Sequence, residues 1–258
     1  MSTDLRSAGW GRGVAAAVLL IVINLAVALA GEGTRSVLPA TDPRWLRGLL
    51  AGLVLALLTA LALRLAVGFL FRRRRPEPAA FGLVRPQHVV RSMAVFIGLL
   101  IPTFFVAGFL TYLIGLKGTT EIDTTGDPLG YRIYLAVLGM VAAPWLEEVA
   151  IRGFLLSALH RRFGFWPAAV VSALAWSGLH LAPGVVILIA AEGVLLAMLR
   201  RRTGSVLPGV GFHTCQNALA LATTGAGVVV LPVLIAQLLS VRLAAVRVWP
   251  GRGYDPPR

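Results

Sequence analysis

A succession of apolar runs, separated by short arginine-rich segments, limits this chain to a narrow set of folds. A helix needs about 20 apolar residues to cross ~30 Å of hydrocarbon. Hydrophobic residues fill 57% of the 258 positions and charged residues only 14%, whereas a soluble domain is nearer half apolar and a quarter charged. We therefore expect an all-α, polytopic integral membrane protein with about eight transmembrane helices. These are predicted near residues 13–30, 48–71, 93–116, 131–151, 165–181, 184–199, 206–223 and 226–243.

The first apolar run could be either a signal peptide or an uncleaved helix. Arg6 and Arg12 precede the first apolar run, and "ALA" at 28–30 is similar to a signal-peptide cleavage site. The run is long for a signal peptide, so an uncleaved helix is favoured over a cleaved one. Residues 1–258 show no internal repeat or linker and are predicted to form a single transmembrane domain. The Pro- and Gly-rich tail at 249–258 is predicted to be disordered.

The distribution of arginine predicts the partner and the orientation. The formal net charge is +13, but the arginines lie in clusters between apolar runs, which argues against a nucleic-acid partner and for the lipid bilayer. Cytoplasmic segments of membrane proteins carry an excess of Lys and Arg. With the N-terminus inside, 17 of the 24 basic residues fall in inner segments and five in outer ones. The prediction is a multi-pass protein of the cell membrane with both termini in the cytoplasm.

The stretch "PWLEEVAIRG" at 144–153 places charged residues inside an apolar run. Ionisable groups within a membrane span are costly and usually mark function. Glu148 and Arg152 are four residues apart, a spacing suited to an ion pair, while Glu147 points about 100° round the helix. Pro144 can free backbone carbonyls and so favour a water-lined site. The alternative is a buried ion pair that only locks two helices together.

Two further stretches carry polar side chains at helical spacing. "WSGLHL" places Trp176 four residues before His180, and "GFHTCQNALA" places His213 four residues before Asn217. Each pair alone could serve packing or interhelical hydrogen bonds, and Cys215 is interpreted as a packing residue.

Together, these residues form a hydrolytic set. A carboxylate or imidazole can take a proton from water, and His or Asn can donate to a developing oxyanion. The same types could hold a divalent metal such as zinc. The spacing H-E-x-x-H is absent, so a metal would need ligands from separate helices.

The three stretches resemble the motifs of the CPBP family, which comprises CAAX proteases and bacteriocin-processing enzymes and is also called the Abi family. "EEVAIRG" is similar to its E-E-x-x-x-R motif, "WSGLH" to an aromatic residue four positions before a histidine, and "HTCQN" to H-x-x-x-N. The likeness covers about residues 130–223, which the resemblance marks as a catalytic core. It implies an intramembrane endopeptidase, often with eight helices, that cleaves a peptide or membrane-protein substrate.

The resemblance also implies a role for each matching residue. Glu147 would be the general base, with His180 helping to bind and activate the water. Glu148 would support the site and pair with Arg152. His213 and Asn217 would stabilise the oxyanion. A glutamate-dependent mechanism is favoured over a metal-dependent one, and if a metal such as zinc is present, its ligands would be Glu147, His180 and His213.

Two points depart from a simple match. Trp176 stands where Phe is commoner, and Glu192 lies outside the three motifs, either as a supporting acid or as a hydrogen-bond partner of a neighbouring helix. Depth is the larger difficulty, since His180 would sit ~25 Å along a straight fifth span. Glu147, His180 and His213 can meet only if that span is tilted, starts deeper or is broken.

Two other classes of function remain open at this stage. Buried Glu and His also form proton relays and ion sites, so a proton- or ion-coupled transporter is one alternative. A non-catalytic immunity or scaffold protein on the same fold is the other. The residues do not indicate the identity of the substrate or the oligomeric state.

Overall fold

A computed structural model describes Gly11, residues 13–22, Leu61, Arg64 and residues 81–118, 129–224 and 227–247. All regular secondary structure in these ranges is helical, which confirms the all-α prediction. The predicted tail and most of the predicted helix at 48–71 lie outside the described residues. The helices are α1 (Gly13–Val22), α2 (Val89–Ile114), α3 (five segments from Leu129 to Phe163), α4 (Phe165–Gly178), α5 (Val186–Thr203), α6 (Leu207–Ala222) and α7 (Gly227–Arg247).

Three of the described helical stretches are long and apolar enough to cross a membrane: Val89–Ile114, Tyr131–Phe163 and Pro183–Thr203. Helix α2 exposes many large apolar side chains, among them Phe105, Phe109 and Leu113. Apolar surface of this extent on a helix indicates contact with lipid. The protein is therefore a helical membrane protein.

Helix α3 is continuous through five segments and contains two π-helical stretches. It runs as Leu129–Val137, the first π segment Leu138–Ala142, Ala143–Glu147, the second π segment Glu148–Leu155, and Leu156–Phe163. π segments inside α-helices occur frequently at functional sites.

The predicted end of this span at residue 151 is wrong. Arg152 is buried and paired within the bundle, so its charge does not require the helix to stop there. The helix continues to Phe163 and ends at Gly164, which adopts a φ of 81°, a conformation that glycine tolerates.

The predicted fifth span is broken before it reaches His180. Helix α4 ends at Gly178 rather than at residue 181, and Leu181 takes a positive φ of 50° in the turn that follows. Pro183 then begins the short 3-10 turn Pro183–Val185 that leads into α5. A proline disfavours a helical conformation in the residue before it, which helps to keep the two helices separate. His180 consequently lies in a turn.

Close approach of α5 to α4 fixes the centre of the bundle. A Cβ atom on Gly193 would lie 2.8 Å from the Cβ of Ala173 and 3.2 Å from Cε3 of Trp176. Only glycine allows this spacing, and it brings the α5 backbone against the Trp176 ring.

The irregular segment 81–88 packs along one end of the same bundle. The Val206 amide donates to the Gly82 carbonyl over 2.9 Å, and Ser205 Oγ donates to the Val84 carbonyl over 2.7 Å. The segment thereby holds the turn between α5 and α6, and so the start of the helix that carries His213.

Candidate active site

Trp176 stands at the centre of the polar residues predicted from the sequence. Its ring makes edge contacts with His180 and His213, with centroids 5.3 and 5.5 Å apart. The Arg152 guanidinium lies 4.2 Å from the ring centroid, within the range of a cation–π interaction. The indole Nε1 of Trp176 donates a hydrogen bond to Glu147 Oε2 over 2.6 Å. A single buried side chain thus connects residues from all three sequence motifs.

Glu147 is the more accessible of the two adjacent glutamates. Its side chain is 16% exposed, whereas that of Glu148 is 1% exposed. The distance from Glu147 Oε2 to His213 Nε2 is 3.9 Å, too long for a direct hydrogen bond. One water oxygen could lie about 2.8 Å from both atoms, with an angle of about 90° at the water. The carboxylate and the imidazole are therefore placed to act on one small group.

Glu148 and Arg152 form the ion pair that their spacing predicted. Arg152 Nη1 lies 3.1 Å from Glu148 Oε1, and both side chains are 1% exposed. Neither atom has a well-aligned hydrogen bond, so the two groups attract mainly as charges. Gly209 of α6 makes room for this carboxylate, because a Cβ there would lie 2.5 Å from Glu148 Oε2.

The two histidines differ in their surroundings. His180 is half-buried, and its Nδ1 lies 3.0 Å from the Trp176 carbonyl. Because that nitrogen contacts an acceptor, it carries the proton, and Nε2 is the basic nitrogen. His213 is buried, with Nδ1 3.9 Å from Glu148 Oε1. The break after α4 brings His180 beside Trp176, which removes the difficulty of depth.

Asn217 and Thr214 of α6 hydrogen-bond to the backbone of the first π segment. Asn217 Nδ2 donates to the Gly139 carbonyl over 2.7 Å, and Thr214 Oγ1 donates to the Met140 carbonyl over 3.1 Å. The predicted oxyanion role of Asn217 therefore competes with a bond that its amide already makes.

Glu192 is joined to the helix that carries His213. Gln216 Nε2 donates to Glu192 Oε2 over 2.9 Å, and Glu192 is 1% exposed. Of the two roles predicted for Glu192, the hydrogen bond to a neighbouring helix is the one that the structure contains. Cys215 is exposed, so its interpretation as a packing residue is wrong: it points away from the bundle.

A metal centre is not assembled by these side chains. In the described ranges, no three His, Cys, Asp or Glu residues form a group that could hold a metal ion. The predicted ligands Glu147, His180 and His213 are therefore not gathered into such a group, and the prediction of a metal stays open.

The fold and the site together define a helical membrane protein whose buried acids and imidazoles face one another. Residues 129–219 match the family model described as type II CAAX prenyl endopeptidase Rce1-like. This segment is just over a third of the chain and contains all three motifs. The match confirms, for this segment, the resemblance to CAAX proteases. Neither a curated protein nor a solved structure gives a significant match.

Several residues of the site were missed by sequence reasoning. Thr214, Gln216 and Gly209 all lie on α6, within or just before the third motif. The polar residues were visible next to His213, but their partners are on other helices. The contact of Gly209 depends on the distance between helices, for which the sequence contains no signal.

Proposed function

We propose that the protein is an intramembrane endopeptidase in which Glu147 activates a water molecule to cleave a peptide bond. The convergence of Glu147, His180 and His213 around Trp176 carries this proposal. The similarity of residues 129–219 to the family model described as type II CAAX prenyl endopeptidase Rce1-like supports it.

The chemistry proceeds in two proton transfers. Glu147 takes a proton from water, and the water oxygen bonds to the carbonyl carbon of the scissile peptide. The C=O π electrons move onto the carbonyl oxygen and form an oxyanion. Glu147 then returns the proton to the amide nitrogen, the C–N bond breaks, and the carbonyl re-forms. The products are a carboxylic acid and an amine.

His180 and His213 supply the polar groups around the reacting atoms. His180 presents Nε2 to the water, while His213 Nε2 lies close enough to Glu147 to donate to the oxyanion. Removal of one oxyanion-hole donor typically costs about 10²–10³ in kcat. The ion pair of Glu148 and Arg152 holds the second carboxylate away from the water and supports the helix that carries Glu147.

The proposed substrate is a membrane-associated peptide. The site lies within the apolar bundle, and soluble substrates would have to leave water to reach it. A peptide held at the membrane by a lipid or an apolar segment arrives without that cost.

Cleavage by the purified protein in liposomes tests the proposal. A panel of prenylated and transmembrane peptides is incubated with wild-type protein, Glu147→Gln and His180→Ala. Glu147→Gln keeps the shape of the side chain but cannot accept the proton, so cleavage should fall at least about 10²-fold. His160→Ala is the matched histidine control, since His160 packs on Phe165 near the end of α3.

Full cleavage by both Glu147→Gln and His180→Ala would refute the mechanism. Proton or solute flux through the liposomes without any proteolysis would favour the transporter alternative. Addition of a chelator to the wild type provides a separate test of metal dependence.

A further inference from the structure

A proline in α3 removes one backbone donor just before the candidate general base, where the helix passes from π to α geometry. Pro144 has no N–H. In an α-helix that donor would serve the carbonyl four residues back, Met140, and in a π-helix the carbonyl five residues back, Gly139. The Ala143 amide donates to the Leu138 carbonyl, five residues back. It therefore does not serve Gly139.

Side chains of α6 donate to both carbonyls that a backbone N–H at position 144 could reach. Asn217 Nδ2 bonds to the Gly139 carbonyl over 2.7 Å, and Thr214 Oγ1 bonds to the Met140 carbonyl over 3.1 Å. Thr214 is fully buried. A backbone carbonyl without a donor is costly in hydrocarbon, so this match joins α6 to α3 at one place. We call Pro144, Thr214 and Asn217, with the two carbonyls, the proline clamp.

The proline clamp lies between the two helices that carry the reacting groups. Pro144 precedes Glu147 by three residues, and Thr214 directly follows His213. Any sliding or rotation of α6 against α3 would change the 3.9 Å separation of Glu147 and His213. The clamp sets that separation.

We infer that Thr214 and Asn217 are positioning residues that replace the backbone donor missing at Pro144 and so fix His213 opposite Glu147. This inference rests on the proposed peptidase function for its kinetic consequence. In this role the Asn217 amide bonds to the backbone of α3 and not to the oxyanion. The role also explains why the Thr214 hydroxyl is buried.

A double-mutant cycle tests the clamp. Asn217→Asp keeps the side-chain shape but offers no N–H₂ donor, and Thr214→Val keeps the volume but loses the hydroxyl. Pro144→Ala returns one backbone N–H, which can donate to the Met140 carbonyl in α geometry or to the Gly139 carbonyl in π geometry. The clamp predicts coupling: each α6 substitution should be costly when Pro144 is present, and the one whose carbonyl the new N–H reaches should add little in the Pro144→Ala background.

Both kinetics and unfolding are measured for each variant. With Pro144 in place, Asn217→Asp and Thr214→Val should each lower kcat by up to about 100-fold, because a misplacement of about 1 Å has an effect of that size. The KM should change much less. Thr214→Ser retains the hydroxyl and should keep near wild-type activity. In the Pro144→Ala background, the α6 substitution whose carbonyl receives the new N–H should change kcat less than about threefold.

Effects of Pro144→Ala that multiply independently with both Asn217→Asp and Thr214→Val would overturn the clamp and favour a direct oxyanion role for the amide. If Thr214→Val does not fold, its recovery by Pro144→Ala supports the clamp, and failure to recover contradicts it. Unfolding of purified protein in detergent needs no proteolysis. Absence of wild-type cleavage would therefore refute the proposed function alone, whereas absence of coupling in unfolding would refute the clamp.

Discussion

Gly209→Ala should disturb the site, because the new Cβ would press against the buried carboxylate of Glu148. The new Cβ would lie 2.5 Å from Glu148 Oε2 and 3.2 Å from its Cδ. Carbon atoms in contact settle at about 3.5–4.0 Å, so the carboxylate or the helix must shift by about 0.5–1 Å. Glu148 is 1% exposed and pairs with Arg152 at 3.1 Å. The shift cannot be absorbed by solvent.

Gly211 of the same helix provides the matched control. A Cβ at Gly211 would meet nothing within 4 Å. Both substitutions gain the helix propensity of alanine over glycine, about 0.8–1.0 kcal/mol. Only Gly209→Ala also incurs overpacking, which typically costs about 1–3 kcal/mol. The difference in unfolding free energy between the two variants isolates the contact with Glu148 and should be about 1–3 kcal/mol.

The assay combines unfolding in detergent with peptide cleavage in liposomes. Gly209→Ala should lower kcat/KM by up to about 100-fold, because Glu148 adjoins Glu147 and lies 3.9 Å from His213. Gly211→Ala should cleave as the wild type does. Equal stability and equal activity of the two alanine variants would show that α6 does not approach Glu148 as closely as described.

Three further predictions use the same assays. Trp176→Phe keeps an aromatic ring but removes the N–H that donates to Glu147. Loss of a hydrogen bond to a charged group costs about 1.5–3 kcal/mol, so unfolding free energy should fall by at least that amount. An unchanged value would contradict the bond. Gly193→Ala should destabilise the protein by about 1–3 kcal/mol through overpacking. The control Gly98→Ala should not, because a Cβ at Gly98 would meet nothing within 4 Å. Similar unfolding free energies for the two variants would argue against close packing of α4 and α5. Asn217→Gln, which keeps an amide on a longer stem, should retain more activity than Asn217→Asp, and the reverse order would show that the donor is unimportant.

The helical membrane class and the gathering of the motif residues could be predicted from the sequence. Apolar run length indicates helices because hydrocarbon leaves the backbone few other ways to satisfy its polar groups. The spacing of Glu148 and Arg152 predicted their ion pair, since residues four apart share a helix face.

The contacts between helices could not be predicted in this way. The indole bond from Trp176 to Glu147 spans 29 positions of the chain, and the bond from Asn217 to Gly139 spans 78. Periodicity describes which residues share a face of one helix, but not which face of another helix they meet. The end of α3 was misplaced because the helix continues through the polar residues His160, Arg161 and Arg162 beyond the apolar run, to Phe163.

The proline clamp also has a consequence for the order of biosynthesis. Gly139 and Met140 leave the ribosome well before their partners, which follow 78 and 74 residues later. At about 5–20 residues per second, this interval is roughly 4–16 s. During that time the two carbonyls need a temporary partner, such as water or another protein in the translocation channel. Helix α3 can therefore take up its final place only after α6 has been made, so a later helix completes an earlier element of the site.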